Sequence, residues 1–112
     1  MPFIDCKLTL KLTAEEKESI KTKLGKAVSV LHKPESYLMV GICDGYDLYF
    51  AGKKLQKGAY VEVSLFGSAT SSDYESMTGE ICNILGGLSI PADKIYVTYH
   101  GVRDWGWNGS NF

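Results

Sequence analysis

The pattern that most constrains this chain is a strand–helix–strand order that occurs twice within 112 residues. In the first half, Ile4, Cys6, Leu8 and Leu10 alternate with Phe3, Asp5, Lys7 and Thr9, which predicts a strand with one core face. Thr13-Ala14-Glu15-Glu16 reads as a capping box, with Thr13 as N-cap and Glu16 reaching back. Ile20, Leu24, Ala27, Val28 and Leu31 follow at helical spacing, and the helix must end before Pro34. Tyr37 to Cys43 is an unbroken apolar run of strand length, as expected of a strand covered on both faces. Asp44-Gly45 turns the chain into a short strand, Asp47 to Ala51, and the charged loop from Gly52 to Gly58 closes the half.

The second half repeats the plan. Tyr60 to Phe66 predicts a strand with Val61, Val63 and Leu65 on one face. Ser72-Asp73-Tyr74-Glu75 reads as a second capping box, and Tyr74, Met77, Ile81, Leu85 and Leu88 carry a helical stripe to Gly86-Gly87. Pro91 precedes a strand from Lys94 to His100, as Pro34 precedes the run from Tyr37. Gly101 to Phe112 is a tail holding Trp105, Trp107 and Phe112. The chain is therefore one domain, residues 1–112, made of two similar halves, 1–57 and 58–112.

Right-handed crossovers in both halves place both helices on one face of a four-stranded sheet, an α+β arrangement. The opposite face then carries Phe3, Tyr60, Phe66 and Tyr96 among Asp5, Glu62 and Thr98. Such a face is too apolar for water and too polar for a dry core, so association of copies through the sheet is expected.

A net charge of −1 gives no broad attraction to nucleic acid or membrane. No apolar segment approaches the ~20 residues of a membrane span, and no signal-peptide pattern follows Met1. Cys6, Cys43 and Cys82 each sit in an apolar run, too far apart for a redox pair or zinc knuckle, and are expected to be small buried hydrophobes. A cytoplasmic location is the expectation. His32 and His100 lack ligand spacing for zinc, Gly67-Ser68 lacks the rest of a phosphate-binding motif, and the sequon at Asn108 reads as a plain turn.

One residue outside the scaffold points to chemistry. Initiator methionine is normally trimmed before a small residue, and here that residue is Pro2. After trimming, the Pro2 nitrogen is a secondary amine rather than an amide. α-Amino groups titrate near 7.7–8.0, and apolar or cationic surroundings lower that value. Such a nitrogen serves as a base at neutral pH. The plain alternative is a proline that merely enters a strand.

Taken together, Pro2, the two strand–helix–strand units, Leu31 to Tyr37, Ile95-Tyr96-Val97 and the ending Gly106 to Phe112 resemble the macrophage migration inhibitory factor family of the tautomerase superfamily. The resemblance runs end to end. It implies a homotrimer with sheets inward, helices outward and a site at each subunit interface. It further implies keto–enol tautomerase activity on phenylpyruvate-type and dopachrome-type substrates, without metal or cofactor. By the same match Pro2 is the catalytic base and Lys33 binds substrate. Phe66 falls where a backbone N–H meets substrate, and Tyr96 matches the wall given by a neighbouring subunit. Thr98 falls where an asparagine often sits, and Trp105, Trp107 and Phe112 match the apolar lining.

Chemically, a base near the α-carbon needs a pKa near ambient pH, and walls from Tyr96, Trp107 and Phe112 would desolvate Pro2. Lys33 would both disfavour protonated Pro2 and pair with the carboxylate of an aromatic α-keto acid. The competing readings are a solvated lysine after a helix end at Lys33, an interface tyrosine at Tyr96, and subunit packing at Trp105 and Trp107, whose alternate spacing suggests rings on one face of an extended tail.

Three departures from the family matter. The C-x-x-C of vertebrate members falls on Gly58 to Val61, which removes support for thiol–disulfide chemistry. Thr98 is shorter than asparagine, and Phe66 and Trp105 add bulk to the pocket. A rival reading from another class is a secreted, cytokine-like protein, exported without a signal peptide, that uses the pocket as a receptor-recognition surface. Dehalogenase or decarboxylase chemistry of the superfamily calls for added arginines or carboxylates, and Arg103 is the only arginine.

Overall fold

In the computed structural model, which describes residues Met1–Phe112, the duplicated pattern closes into one mixed sheet. Strand β1 is Pro2–Leu8, helix α1 Ala14–Ala27, and strand β2 Met39–Cys43. Short strands β3 (Tyr49–Phe50) and β4 (Lys53–Lys54) form a hairpin. Strand β5 is Ala59–Phe66, helix α2 Ser71–Gly86 and strand β6 Ile95–Val102. The tail forms a second small hairpin, β7 (Gly106–Trp107) with β8 (Ser110–Asn111).

The four long strands lie in the order β2-β1-β5-β6. Each half contributes one parallel pair, β1 with β2 and β5 with β6, and the halves join through antiparallel β1 and β5. Ile4, Cys6 and Leu8 on β1 and Val61, Val63 and Leu65 on β5 are buried. All but Leu65 belong to the core cluster with Ile20, Leu24, Met77, Ile81 and Leu85 of the helices. Both helices thus cover the same sheet face, as their stripes require.

The opposite face is open. Phe3, Asp5 and Lys7 stand there beside Tyr60, Glu62, Ser64 and Phe66, and beside Tyr96, Thr98 and His100. Its centre is polar and internally paired. Lys7 Nζ lies 2.8 Å from Asp5 and 3.1 Å from Glu62, and these two hydrogen bonds raise its pKa. His100 lies 3.9 Å from Glu62, and Thr98 shares hydrogen bonds with the Tyr60 hydroxyl and His100.

Several local expectations are corrected. The second N-cap is Thr70 rather than Ser72: its hydroxyl accepts from the Asp73 N–H at 3.1 Å, and Asp73 accepts from the Thr70 N–H. Aspartate, one methylene shorter than glutamate, closes the box here and hides it from the usual pattern. Thr70→Ala is therefore expected to cost about 1 kcal/mol in urea unfolding, whereas Ser72→Ala stays within about 0.5 kcal/mol.

The run from Tyr37 is not a strand covered on both faces. Glu35–Tyr37 is a 3-10 turn, and β2 is an edge strand on which Met39 is 68% exposed. Leu38, Val40 and Ile42 pack against the core, while Met39, Gly41 and Cys43 share the open face. Cys43 is exposed and Cys82 half-buried; only Cys6 is the buried hydrophobe expected of all three, and burial pushes its thiol up to about 12.

The strand expected over Asp47 to Ala51 shrinks to Tyr49–Phe50 because the charged loop supplies its partner, Lys53–Lys54. Ala51 and Gly52 both take positive φ, the geometry of a tight two-residue hairpin turn. Asn108 and Gly109 do the same in the tail, so the sequon is indeed a turn. The long strands at Phe3–Leu10 and Lys94–His100 shift at their ends to Pro2–Leu8 and Ile95–Val102.

Candidate active site

Strand β1 begins at Pro2, whose lack of an N–H does no harm at a strand start. Pro2 is buried, and beside it opens a cavity of about 600 Å³. The floor comes from Met1, Pro2, Phe3 and Ser64; the walls are Ser36 to Met39 and, across from them, Val102 and Trp105 to Trp107. Eight of the twelve lining residues are apolar, so a charge placed here is poorly solvated.

A row of aromatic rings borders this cavity. Tyr37 meets Trp107 edge-on at 5.6 Å, Trp107 stacks with Phe112 at 6.1 Å, and Phe112 lies 5.5 Å from Phe66. The tail is seated by the Phe112 N–H, which donates to the Trp105 carbonyl at 3.1 Å. Trp105 and Trp107 thus border one cavity from the entrance of a hairpin rather than from an extended tail.

Lys33 reaches the same corner from the loop after α1. His32 ends that segment with a left-handed φ of 59°, which reverses the chain before Lys33-Pro34. Lys33 Nζ donates to the Phe66 carbonyl at 3.0 Å, and the Phe66 N–H donates to the Met1 carbonyl at 3.0 Å. Burial first, and then the positive charge of Lys33, hold the Met1 amino group below its ordinary range. An N-terminal amine at the apolar cavity and a lysine cation next to it are therefore close enough to interact. That pairing suits abstraction of a proton next to a carbonyl in an anionic substrate.

Among the residues singled out from sequence, Pro2, Trp105 and Trp107 line the cavity, and Phe66, Phe112 and Lys33 surround it. Tyr96 and Thr98 stand elsewhere within the chain. Tyr96 is 64% exposed on the open face, edge-on to Phe50 at 5.8 Å, and Thr98 is tied to Tyr60 and His100. Within one chain, the tyrosine beside Trp107 at this cavity is Tyr37. Sequence reading missed Tyr37 and Met39 because they sat in a run interpreted as a buried strand. Ser36 and Ser64 carried no signal beyond their position beside such residues. No group of three or more His, Cys, Asp or Glu side chains is placed to hold a metal ion, and no helix is long and apolar enough to cross a membrane.

Comparison with known proteins agrees with this geometry. The family model for macrophage migration inhibitory factor matches residues 1–112. The chain is 32% identical over 85 residues to a macrophage migration inhibitory factor homolog of Trichuris trichiura, covering 74% of this chain and 75% of that protein. The crystal structure of Leishmania major MIF2 is 31% identical, with 100% of this chain and 97% of that one covered and a TM-score of 0.93. The macrophage migration inhibitory factor homologue of Prochlorococcus marinus is 30% identical over 98% of each chain, with a TM-score of 0.88.

Proposed function

The chain belongs to the macrophage migration inhibitory factor family, and from that premise we propose that it is a cofactor-independent keto–enol tautomerase of phenylpyruvate-like, and by extension dopachrome-like, substrates. The observation that carries this reading is the position of Pro2 in the floor of an apolar cavity, with the Lys33 ammonium near enough to depress an amine there.

In enolisation, the neutral Pro2 nitrogen takes a proton from the carbon beside the carbonyl. The electron pair of that C–H bond becomes the C=C bond, and the C=O π pair moves to oxygen. The oxygen takes its proton from the protonated Pro2, directly or through water, which leaves the amine neutral again. Ketonisation returns the proton to carbon. Lys33 pairs with the substrate carboxylate, and the aromatic row of Tyr37, Trp107 and Phe112 receives the ring.

Removal of Met1 matters twice in this scheme. It converts the Pro2 nitrogen from an amide to an amine, and it takes away the carbonyl that now occupies the Phe66 N–H. That donor then faces the vacated space, where a substrate oxygen can accept from it.

The open sheet face supports assembly as a homotrimer. Apolar residues at both of its ends, Met39 and Phe3 on one side and Tyr60 and Tyr96 on the other, are unsuited to permanent exposure. In such an assembly Tyr96 and Thr98 would serve a neighbouring subunit's cavity. Light scattering should give three times the 12.3 kDa chain mass; a monomer at micromolar concentration would remove those two residues from the scheme. The function itself is tested by intact mass followed by an enol-to-keto assay with phenylpyruvate on the same sample. Turnover by protein lacking Met1 is expected. Its absence in such protein contradicts the reading.

A further inference from the structure

The turn that holds Lys33 rests on a residue with no role in the scheme above. Gly67 follows Phe66 at a φ of +80°, its N–H donates to the Val102 carbonyl at 2.8 Å, and its own carbonyl lies against Gly101. A Cβ on Gly101 would sit 2.6 Å from that carbonyl oxygen and 3.3 Å from Ser68 Cβ. The first distance is too short for any carbon–oxygen contact, and the obstacle is backbone rather than a movable side-chain end. Gly101 is not at a positive φ, so its need for glycine is one of close approach alone.

The Phe66 carbonyl, which accepts from Lys33 Nζ at 3.0 Å, belongs to the peptide that runs directly into Gly67. Anything that lifts Gly67 and Ser68 off β6 moves this acceptor with them. We infer that Gly101 is a positioning residue for the proposed tautomerase: its missing side chain lets the Phe66–Ser68 turn lie flat on β6, and this sets where the Lys33 ammonium stands beside Pro2. The inference rests on the tautomerase reading for its kinetic consequence but not for its structural one.

Because the Lys33 charge acts both on substrate carboxylate and on the N-terminal amine, its displacement has two signatures. Gly101→Ala, in protein lacking Met1, should raise KM for phenylpyruvate about 5- to 20-fold, short of complete loss of a charge-assisted bond, with kcat within about twofold. The Pro2 nitrogen, followed by 15N NMR, should titrate at a higher pH than in the unsubstituted protein, because the nearby cation has moved away. Tyr37 is the titratable side chain that lines that cavity, and none of these variants replaces it. Gly79→Ala is the control, since a Cβ there meets nothing within 4 Å; it should move neither quantity.

A third measurement separates positioning from general damage. In a Lys33→Ala background, adding Gly101→Ala should leave KM and the amine titration unchanged, because the group it acts through is gone. If Gly101→Ala does not fold, Ser68→Gly/Gly101→Ala removes one of the two crowding contacts and keeps the carbonyl contact. A folded Gly101→Ala or double variant with unaltered KM and amine titration overturns the inference. Persistence of its effect without Lys33 overturns it equally. If the unsubstituted protein has no turnover, the tautomerase reading fails, and the NMR titration alone decides for or against Gly101.

Discussion

Protein that retains Met1 should turn over phenylpyruvate at least about a hundredfold more slowly than protein that has lost it, the scale associated with removal of a general base. With Met1 in place, the Pro2 nitrogen is an amide without useful basicity. Burial and Lys33 also hold the Met1 amino group below its usual range, but it stands one residue before Pro2, a Cα spacing of about 3.8 Å, and so away from the position of the Pro2 nitrogen. Retained Met1 further keeps the Phe66 N–H engaged at 3.0 Å. Pro2→Gly in trimmed protein leaves a primary amine but removes the ring that fixes the nitrogen at the start of β1, and a comparable loss of about 10²-fold is expected from misplacement. Circular dichroism and light scattering should be unchanged in both variants. Full turnover in either would contradict the role of Pro2.

Lys33→Ala carries the second large effect. The charge-assisted contact to substrate carboxylate is of the kind worth about 1.5–3 kcal/mol, so KM should rise about 10- to 150-fold. The direction of the pH effect follows from the base being active when neutral. Lys33 lowers the amine's pKa, so its removal raises that pKa, and the acidic limb of kcat/KM moves to higher pH. Lys33→Arg keeps the charge but replaces a point ammonium by a planar fork, and should restore the pH limb more fully than KM. Steady-state kinetics between pH 5 and 9 measures both. An unchanged limb in Lys33→Ala would show that burial alone tunes the amine.

The scaffold was legible because each layer of the sequence agreed with the next. Alternation in β1 and β5, helical stripes in α1 and α2, and prolines ahead of β2 and β6 all specify the duplicated plan. What misled was an apolar run read without knowing its place in the sheet. Tyr37 to Cys43 is apolar on both sides, which in a central strand would mean two covered faces. At an edge it means a face awaiting another partner, and Met39 shows the difference.

The candidate site divides along a similar line. Pro2 could be singled out because its chemistry depends on covalent context rather than on tertiary contacts. Trp105, Trp107 and Phe112 were tied to the site by the family resemblance, since their spacing alone fitted subunit packing as well. Tyr37 could not be assigned in this way, because its place beside Trp107 depends on a 3-10 turn that the sequence does not announce. Tyr96 and Thr98 illustrate the opposite case. Their face within one chain is plain from strand alternation, but any part in catalysis depends on a second copy.

The central claim is that the Pro2 nitrogen, depressed by an apolar cavity and Lys33, is the base of a tautomerase. It is tested most directly by measuring kcat/KM for phenylpyruvate against pH on protein lacking Met1, beside a 15N titration of Pro2 in the same preparation. The predicted result is an acidic limb that coincides with the Pro2 titration and lies below the ordinary α-amino range of about 7.7–8.0. Turnover that is indifferent to the protonation of Pro2, or no turnover at all, would contradict the account.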